Sequence, residues 1–184
     1  MIDARLNAIS GPNLTLRLIT PADADYVFGL RTDAAYNAHL SEVQGSAEDQ
    51  RQWIETYKER EAAQQELYYV IERHDGVRCG LVRLYDIAPG SFTWGSWLLD
   101  SRKPPKAALE SVVLSFDIGF HVLGATQANL DVRLGNAKAI AIYRRLEMTE
   151  TARDDESLYF TYDRARFDAN RPGYMAILEG KKQL

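Results

Sequence analysis

Three cations lie close together in a segment that could bind an anion. Arg102, Lys103 and Lys106 fall within five consecutive residues of a chain whose formal net charge is −4. Pro105, a residue favoured at the first position of a helix, follows a strand-like run and precedes an amphipathic run. The unpaired backbone N–H groups at a helix N-terminus favour an anion. The segment therefore predicts a phosphate-binding turn, and a solvated basic turn is the alternative.

A second candidate is the helix-like segment that begins at Asn136. Asn136 is suited to cap the helix, and Tyr143 lies further along on its apolar stripe. A phenol has an ordinary pKa of about 10, so it is protonated at neutral pH and can donate a proton to a leaving thiolate. Tyr143 is thus a candidate general acid. The alternative is a buried aromatic, the usual occupant of an apolar stripe.

Both segments lie within an alternation of strands and helices. Strand-like runs cover 14–19, 67–73, 77–88, 91–99, 127–133 and 158–162, and helix-like runs cover 21–31, 46–65, 105–123 and 136–146. Asp75-Gly76 and Pro89-Gly90 are turn signals that join three strands into an antiparallel meander. The order β-α-α-β-β-β-α-β-α-β predicts an α/β (mixed α+β) fold, with a mixed, mostly antiparallel sheet flanked by helices. Residues after Asp163 allow no prediction beyond a terminal helix.

Length and composition exclude several classes of protein. The chain has 184 residues, 46% of them hydrophobic, which predicts one domain over 1–184 with a core of about 14–162 and a tail of 163–184. Its acidic balance argues against nucleic-acid binding, and no apolar run approaches the roughly 20 residues of a membrane-spanning helix. One cysteine and three scattered histidines give no metal-ligand spacing. We expect a cytoplasmic monomer or homodimer with no metal, nucleic-acid or membrane partner.

The meander, the strand-to-helix turn, the next strand and an N-x-x-A-x-x-x-Y helix together resemble the GNAT superfamily of acyl-CoA-dependent N-acetyltransferases. The resemblance covers about 14–162, nearly the whole chain. The phosphate loop of that family reads Q/R-x-x-G-x-G/A; Arg102 and Ala107 match its outer positions, whereas Pro105 replaces its central glycine. Glu147 stands where the family usually has another glycine after the tyrosine helix. The resemblance implies a single-domain GNAT-like fold and an enzyme.

The resemblance also implies a co-substrate, acetyl-CoA, which an amine attacks directly in a ternary complex. The strand before the loop would pair through its backbone with the pantetheine arm, and one of its N–H groups would stabilise the oxyanion. Tyr143 would protonate the departing sulfur. The residues implied to bind acetyl-CoA are Trp97, Leu98, Leu99, Arg102, Lys103, Lys106, Ala107, Ala108 and Asn136.

The general base and the acceptor site are less determined. Asp86, Asp131 and His39 are candidates for the base, and a water relay is equally plausible. Tyr85, Trp94 and His39 are the expected substrate-binding residues, because they surround the position from which the acceptor should approach. The alternative is that the aromatic residues only fill the face of the sheet.

We therefore expect transfer of an acetyl group to a primary amine of a small molecule. An amino-sugar nucleotide is favoured, because aromatic side chains can stack on a sugar or nucleotide ring. The alternatives are acetylation of a protein N-terminus, as in ribosomal-protein acetyltransferases, and a non-catalytic acyl-CoA-binding module. Tyr143 argues against the module, which needs no thiol-protonating phenol. Cys79, within a meander strand, is expected to be a small core residue.

Overall fold

The computed structural model describes residues 3–181, which contain one eight-stranded sheet with helices on both faces. The strands are β1 (Ala8–Ser10), β2 (Leu14–Leu18), β3 (Leu67–Arg73), β4 (Arg78–Ala88), β5 (Ser91–Leu99), β6 (Gln127–Arg133), β7 (Thr149–Arg153) and β8 (Ser157–Asp163). The helices are α1 (Ala4–Asn7), α2 (Ala24–Thr32), α3 (Ala47–Ala62), α4 (Ala107–Asp117), α5 (Ala137–Arg145) and α6 (Arg164–Leu178). The predicted mixed sheet flanked by helices is confirmed.

The sheet has the strand order β1-β2-β3-β4-β5-β6-β8-β7. Its neighbouring strands are antiparallel, except that β5 and β6 are parallel. The parallel pair follows from the connection between these strands, because α4 carries the chain back across one face of the sheet. The predicted meander corresponds to β3, β4 and β5.

Two hydrophobic cores cover the two faces of the sheet. Apolar residues of α4, α5 and α6 pack on one face, where Trp94 and Phe116 stack with ring centroids 5.3 Å apart. Residues of α2 and α3 pack on the other face, where the Tyr57 hydroxyl oxygen accepts the backbone N–H of Tyr68, in β3, at 2.7 Å. The start of α3 follows its predicted capping box: the Ser46 hydroxyl accepts the Asp49 N–H, and the Asp49 carboxylate accepts the Ser46 N–H.

The predicted helix over 105–123 is helical from Ala107 to Val122, but the helix type changes near its C-terminal end. After α4 the chain forms a π turn over Ile118–Val122. A Cβ atom at Gly119 would lie 2.1 Å from Cζ of Phe92, so the backbone of this turn lies directly against an aromatic ring of β5. Only glycine permits such an approach. Apolar periodicity is similar in both helix types over so few residues, and it therefore does not reveal the change.

Three elements have no counterpart in the predicted strands and helices: α1, β1 and β7. All five residues of β7 are exposed, so no hydrophobic alternation marks it. Helix α6 confirms the terminal helix, and it attaches to α4 through Arg171, whose guanidinium donates two hydrogen bonds of 2.7 Å to Asp117. Phe167 of the same helix is fully buried. These contacts hold α6 beside the helix that follows β5.

Candidate active site

A cleft opens where β5 and β6 separate. The two strands pair only from Ser91 with Gln127 to Thr93 with Asn129, although β5 continues to Leu99 and β6 to Arg133. Beyond that point, and within residues 3–181, neither strand has a partner strand on the side facing the cleft. Unpaired strand edges can bind an extended group by adding it as a further strand.

A β-bulge redirects β5 at the cleft. Arg83 of β4 is opposite Gly95, but Leu81 is opposite Leu98, so β5 contains one extra residue. Ser96 takes up this residue with a left-handed φ of 48°. Residues three apart on a regular strand point to opposite faces, whereas Trp94 and Trp97 lie on the same face with ring centroids 5.5 Å apart. The bulge therefore changes which groups the strand presents after it enters the cleft.

Tyr143 projects from α5 towards this cleft, and its ring is only 5% exposed. The ring packs edge to face on Trp94 and on Phe160, with centroid distances of 5.9 and 5.5 Å. Burial raises the pKa of Tyr143 well above its usual value, and the negative charge of Asp131 raises it further. Among residues 3–181 its hydroxyl has no hydrogen-bond partner, yet its oxygen is not sealed from solvent. The phenol is thus fixed by packing, stays protonated at neutral pH and has a free donor.

Tyr85 and Asp131 are near enough to Tyr143 to raise its pKa, and we call these three residues the cleft group. A Cβ atom at Gly95 would be 3.1 Å from Oη of Tyr85, so the Tyr85 ring lies across β5 at the bulge. Burial raises the pKa of Tyr85, and the charge of Asp131 raises it further. Asp131 thus acts electrostatically on both phenols. The structure brings together three of the residues that the sequence analysis selected.

The other two candidate bases are both exposed. Asp86 is exposed in a second bulge, at a φ of 47°, and its charge raises the pKa of Tyr85. His39 is exposed in the loop after α2; its Cε1 lies 3.5 Å from the position of a Cβ on Gly135, in the turn before α5. Only Asp131 influences Tyr143, and it is therefore the candidate base with the most direct relation to the candidate acid.

Arg102, one of the residues expected to bind acetyl-CoA, forms an ion pair within the turn. Asp100, the first residue after β5, is 3% exposed and accepts the backbone N–H of Arg102 at 2.8 Å and its Nη2 at 2.6 Å. Tyr26 of α2 donates its hydroxyl to the same carboxylate at 2.9 Å, and the Arg102 guanidinium lies 5.2 Å from the centre of the Tyr26 ring. Arg102 is therefore paired with Asp100, an arrangement that orders the turn.

Lys106 is also occupied. It is the N-cap of α4, with a left-handed φ of 65°, and its Nζ donates a hydrogen bond of 2.6 Å to the carbonyl oxygen of Ile177 in α6. Ala107 is buried, and its N–H points to the carbonyl of Pro104 at 3.3 Å. The rest of the predicted anion site consists of Lys103, which is exposed, and of the N–H groups at the start of α4, including that of Ala108.

Trp94, an expected substrate-binding residue, lies in the core, which is the alternative that the sequence left open. Trp94 is 1% exposed, and its Nε1 donates to the Ser115 hydroxyl at 2.8 Å, so its ring belongs to the core. Trp97 is half-buried and donates to Ser111 at 3.1 Å. Because one edge of β5 is paired with β4, only the opposite backbone edge at Trp97, Leu98 and Leu99 faces the cleft.

Asn136 is confirmed as a helix cap. Its side-chain oxygen accepts the backbone N–H of Ala139 at 3.3 Å, at the start of α5. Cys79 is fully buried, as predicted for a core residue. Burial and the charge of Asp100 raise the pKa of the Cys79 thiol to about 11, so it is protonated at neutral pH and unsuited to act as a nucleophile.

Sequence reasoning missed two arginines near the cleft. Arg31 of α2 is four residues after buried Val27, a position at which a charged side chain is directed towards the core. Arg83 and Tyr85 lie on the same face of β4, and the Arg83 guanidinium is 5.2 Å from the centre of the Tyr85 ring. Two features of the sequence could have indicated these residues. Arg31 is a charged residue on an apolar helical stripe, and Arg83 is a charged residue close to the candidate site residue Tyr85.

Two further properties concern metals and membranes. Residues 3–181 contain no group of three or more His, Cys, Asp and Glu side chains arranged to hold a metal ion. Across the same described range, no helix has the length and apolar character needed to cross a membrane.

Comparisons with known proteins relate this geometry to a family. The model of the acetyltransferase (GNAT) domain matches residues 13–149. FdhC, a nucleotide-linked sugar GNAT solved in its apo form, is 33% identical, with a TM-score of 0.84 and coverage of 91% of this chain and 96% of FdhC. Spermidine N-acetyltransferase from Vibrio cholerae, in complex with CoA and spermine, is 19% identical, with a TM-score of 0.72 and coverage of 85% and 99%. No curated protein sequence matches significantly.

Proposed function

The chain belongs to the GNAT acetyltransferase family, and from this premise we propose that it transfers an acetyl group from acetyl-CoA to a primary amine of a small molecule, with an amino-sugar nucleotide as acceptor. The observation that carries the proposal is the free hydroxyl of Tyr143 beside the separated strands β5 and β6. The choice of acceptor is supported by the similarity to a nucleotide-linked sugar GNAT over most of both chains.

Acetyl-CoA would lie along the cleft, with its pantetheine arm paired to the free edge of β5. Trp97, Leu98 and Leu99 supply that edge, and an N–H from it would stabilise the oxyanion of the tetrahedral intermediate. The phosphates would lie at the start of α4, where unpaired N–H groups and Lys103 favour negative charge. Arg102 would contribute indirectly, because its pairing with Asp100 shapes the turn.

Two protons must leave the acceptor nitrogen, one from the ammonium group before attack and one, passed to water, from the cationic nitrogen of the tetrahedral intermediate, and one proton must reach sulfur. Asp131, directly or through a water molecule, would take a proton from the acceptor ammonium group, and the neutral amine would attack the thioester carbonyl carbon. The C–N bond forms, the tetrahedral intermediate collapses and the C–S bond breaks. Tyr143 would give its proton to the departing thiolate. Since Cys79 is buried and protonated, no acyl-enzyme is invoked.

A panel of amines, with acetyl-CoA as donor and release of the CoA thiol as the signal, tests this proposal. The panel contains amino-sugar nucleotides, the corresponding free amino sugars, spermidine and peptides with free N-termini. We expect fastest thiol release with an amino-sugar nucleotide. Faster turnover of spermidine or a peptide would contradict the proposed acceptor class, and absence of thiol release and of acetyl-CoA binding would contradict acetyl transfer.

A further inference from the structure

A second pocket lies on the α2 and α3 side of the sheet, and it has a volume of about 400 Å³. It is lined by Arg31, Arg83, Trp53 and the loop before α3. We propose that Arg31 and Arg83 bind the diphosphate of the acceptor, and thereby select an amine that carries this anion. The inference rests on the proposed function, because it names the part of the acceptor that this pocket would hold.

Arg31 is a buried cation that lacks a partner of opposite charge. It is 9% exposed, and its Nη2 donates to the carbonyl and hydroxyl oxygens of Ser41 at 3.1 and 2.7 Å. Its Nε is buried and has no hydrogen-bond partner, and no ion pair formed within residues 3–181 includes it. Buried charges in proteins are normally paired and hydrogen-bonded. An anionic ligand would supply the missing partner.

Arg83 is the second cation that lines the same pocket. Its Nη2 is paired with Glu66, but its Nε is buried without a hydrogen-bond partner. Its guanidinium lies 5.6 Å from the ring centre of Trp53 and 5.3 Å from that of Tyr68. Burial raises the pKa of Tyr68, and the positive charges of both Arg31 and Arg83 oppose this effect. Both cations therefore lie close to buried Tyr68, whose ring packs edge to face on Trp53 of the pocket lining.

The acidic residues around the pocket leave Arg31 without an ion-pair partner among residues 3–181. Asp49 lines the pocket, but its carboxylate is held by the N–H and hydroxyl of Ser46 at the start of α3. Glu66 is shared between Arg83 and Arg60, whose Nε lies 3.0 Å away. Glu42 is exposed at the rim. Two carboxylates are thus already engaged, and neither is paired with Arg31.

The position of the pocket relative to the cleft fits a sugar joined to a diphosphate. Arg83 and Tyr85 are two residues apart on the same face of β4, which places them about 7 Å apart along the strand. Tyr85 belongs to the cleft group, so an anion on Arg83 would lie about one hexose ring from the reacting amine. Guanidinium groups recognise phosphate oxygens through paired N–H donors. The same charges would disfavour a polycationic acceptor such as spermidine.

Calorimetric binding of a nucleoside diphosphate and of inorganic pyrophosphate, in the absence of acetyl-CoA, tests the pocket directly. We expect both to bind wild type with an affinity that falls as salt is added. Arg31→Gln and Arg83→Gln should each weaken binding at least tenfold. Arg51→Gln is the matched control, because Arg51 lies on α3, is partly exposed outside the lining of the pocket and is paired with Glu48. Its affinity should equal that of wild type.

Thermal melting guards against a variant that fails to fold. The nucleoside diphosphate should raise the melting temperature of wild type and of Arg51→Gln, but not that of Arg31→Gln. An unchanged affinity in Arg31→Gln, or failure of wild type to bind either anion, would overturn the pocket. Binding that depends on Arg31, in a protein that releases no thiol, would instead retain the pocket and overturn acetyl transfer. The two failures are therefore distinguishable.

Discussion

Trp94 and Tyr143 pack edge to face, with ring centroids 5.9 Å apart and planes inclined at 79°, next to the point where β5 and β6 separate. Trp94 is itself fixed by its hydrogen bond to Ser115 and by stacking on Phe116. A residue buried in the core thus determines the orientation of a phenol whose hydroxyl is free. Trp94 would serve the reaction as a positioning residue without contact to substrate.

Replacement of Tyr143 by phenylalanine should separate chemistry from folding. Tyr143→Phe removes the free hydroxyl and keeps the ring that packs on Trp94 and Phe160. We expect little change in melting temperature and in acetyl-CoA affinity, because the ground-state thioester carries no charge on sulfur. Turnover should fall roughly 10²-fold, the effect of losing a general acid. Steady-state kinetics at saturating acetyl-CoA measures it.

Tyr174→Phe is the control for that experiment. Tyr174 lies on α6, and its hydroxyl contacts the Tyr162 hydroxyl and the carbonyl of Leu146 instead of the cleft. Its loss should leave turnover unchanged. Near-normal turnover in Tyr143→Phe would mean that Tyr143 is only a core aromatic.

The pH dependence of turnover should reflect the raised pKa of Tyr143. Burial and the charge of Asp131 both favour the neutral phenol, so the proton donor persists above the ordinary tyrosine pKa of about 10. The turnover number of wild type should therefore show no decline between about pH 7 and pH 10 due to loss of this proton. Turnover of Tyr143→Phe should stay low over the same range, because added base cannot replace an acid. A wild-type decline centred below about pH 9, and absent from Tyr143→Phe, would contradict this protonation state.

The sequence predicts best what local patterns determine. Asn136 and Tyr143 are placed correctly because capping and helical periodicity act within one helix. The ion pair between Arg102 and Asp100 is not determined by a local pattern alone. Asp100 lies two residues from Arg102, but Tyr26 of α2 also donates to the Asp100 carboxylate, and only the folded chain brings Tyr26 close. A pattern of charges in a loop shows their number without showing which of them are neutralised.

Bulges and long-range packing account for most of the remaining differences. Alternation along β5 cannot predict that Trp94 and Trp97 share a face, because the extra residue at Ser96 shifts the register there. The burial of Trp94 follows from α4, which supplies Ser115 and Phe116 on the same face. The aromatic composition of this strand was therefore visible in the sequence, and its orientation was not.

Two lysines of the α4 turn should respond differently to substitution. Lys103→Glu should weaken acetyl-CoA binding about tenfold, because it reverses an exposed charge near the start of the helix. Lys106→Gly should change acetyl-CoA affinity less than about threefold. The Lys106 amine donates its hydrogen bond to the Ile177 carbonyl, and glycine adopts the left-handed φ of 65° without strain. Titration with acetyl-CoA at two salt concentrations measures both. A greater loss in Lys106→Gly than in Lys103→Glu would show that Lys106 is the phosphate-binding cation.

Gly95→Ala should perturb the acceptor side of the cleft while leaving the cofactor side intact. The added Cβ would lie 3.1 Å from Oη and 3.2 Å from Cε1 of Tyr85, so the Tyr85 ring must move by a few tenths of an ångström. Because Tyr85 belongs to the cleft group and lies beside Arg83, this movement should raise the KM for the acceptor several-fold, with acetyl-CoA affinity unchanged.

Gly29→Ala is the matched control for Gly95→Ala. A Cβ at Gly29 meets no atom within 4 Å, and alanine in the middle of α2 should stabilise the protein by about 0.5–1 kcal/mol. Equal acceptor KM values in the two variants would show that Tyr85 does not contact the acceptor, whereas an equal loss of acetyl-CoA affinity and acceptor affinity in Gly95→Ala would show that the bulge, and not Tyr85, is what the substitution disturbs.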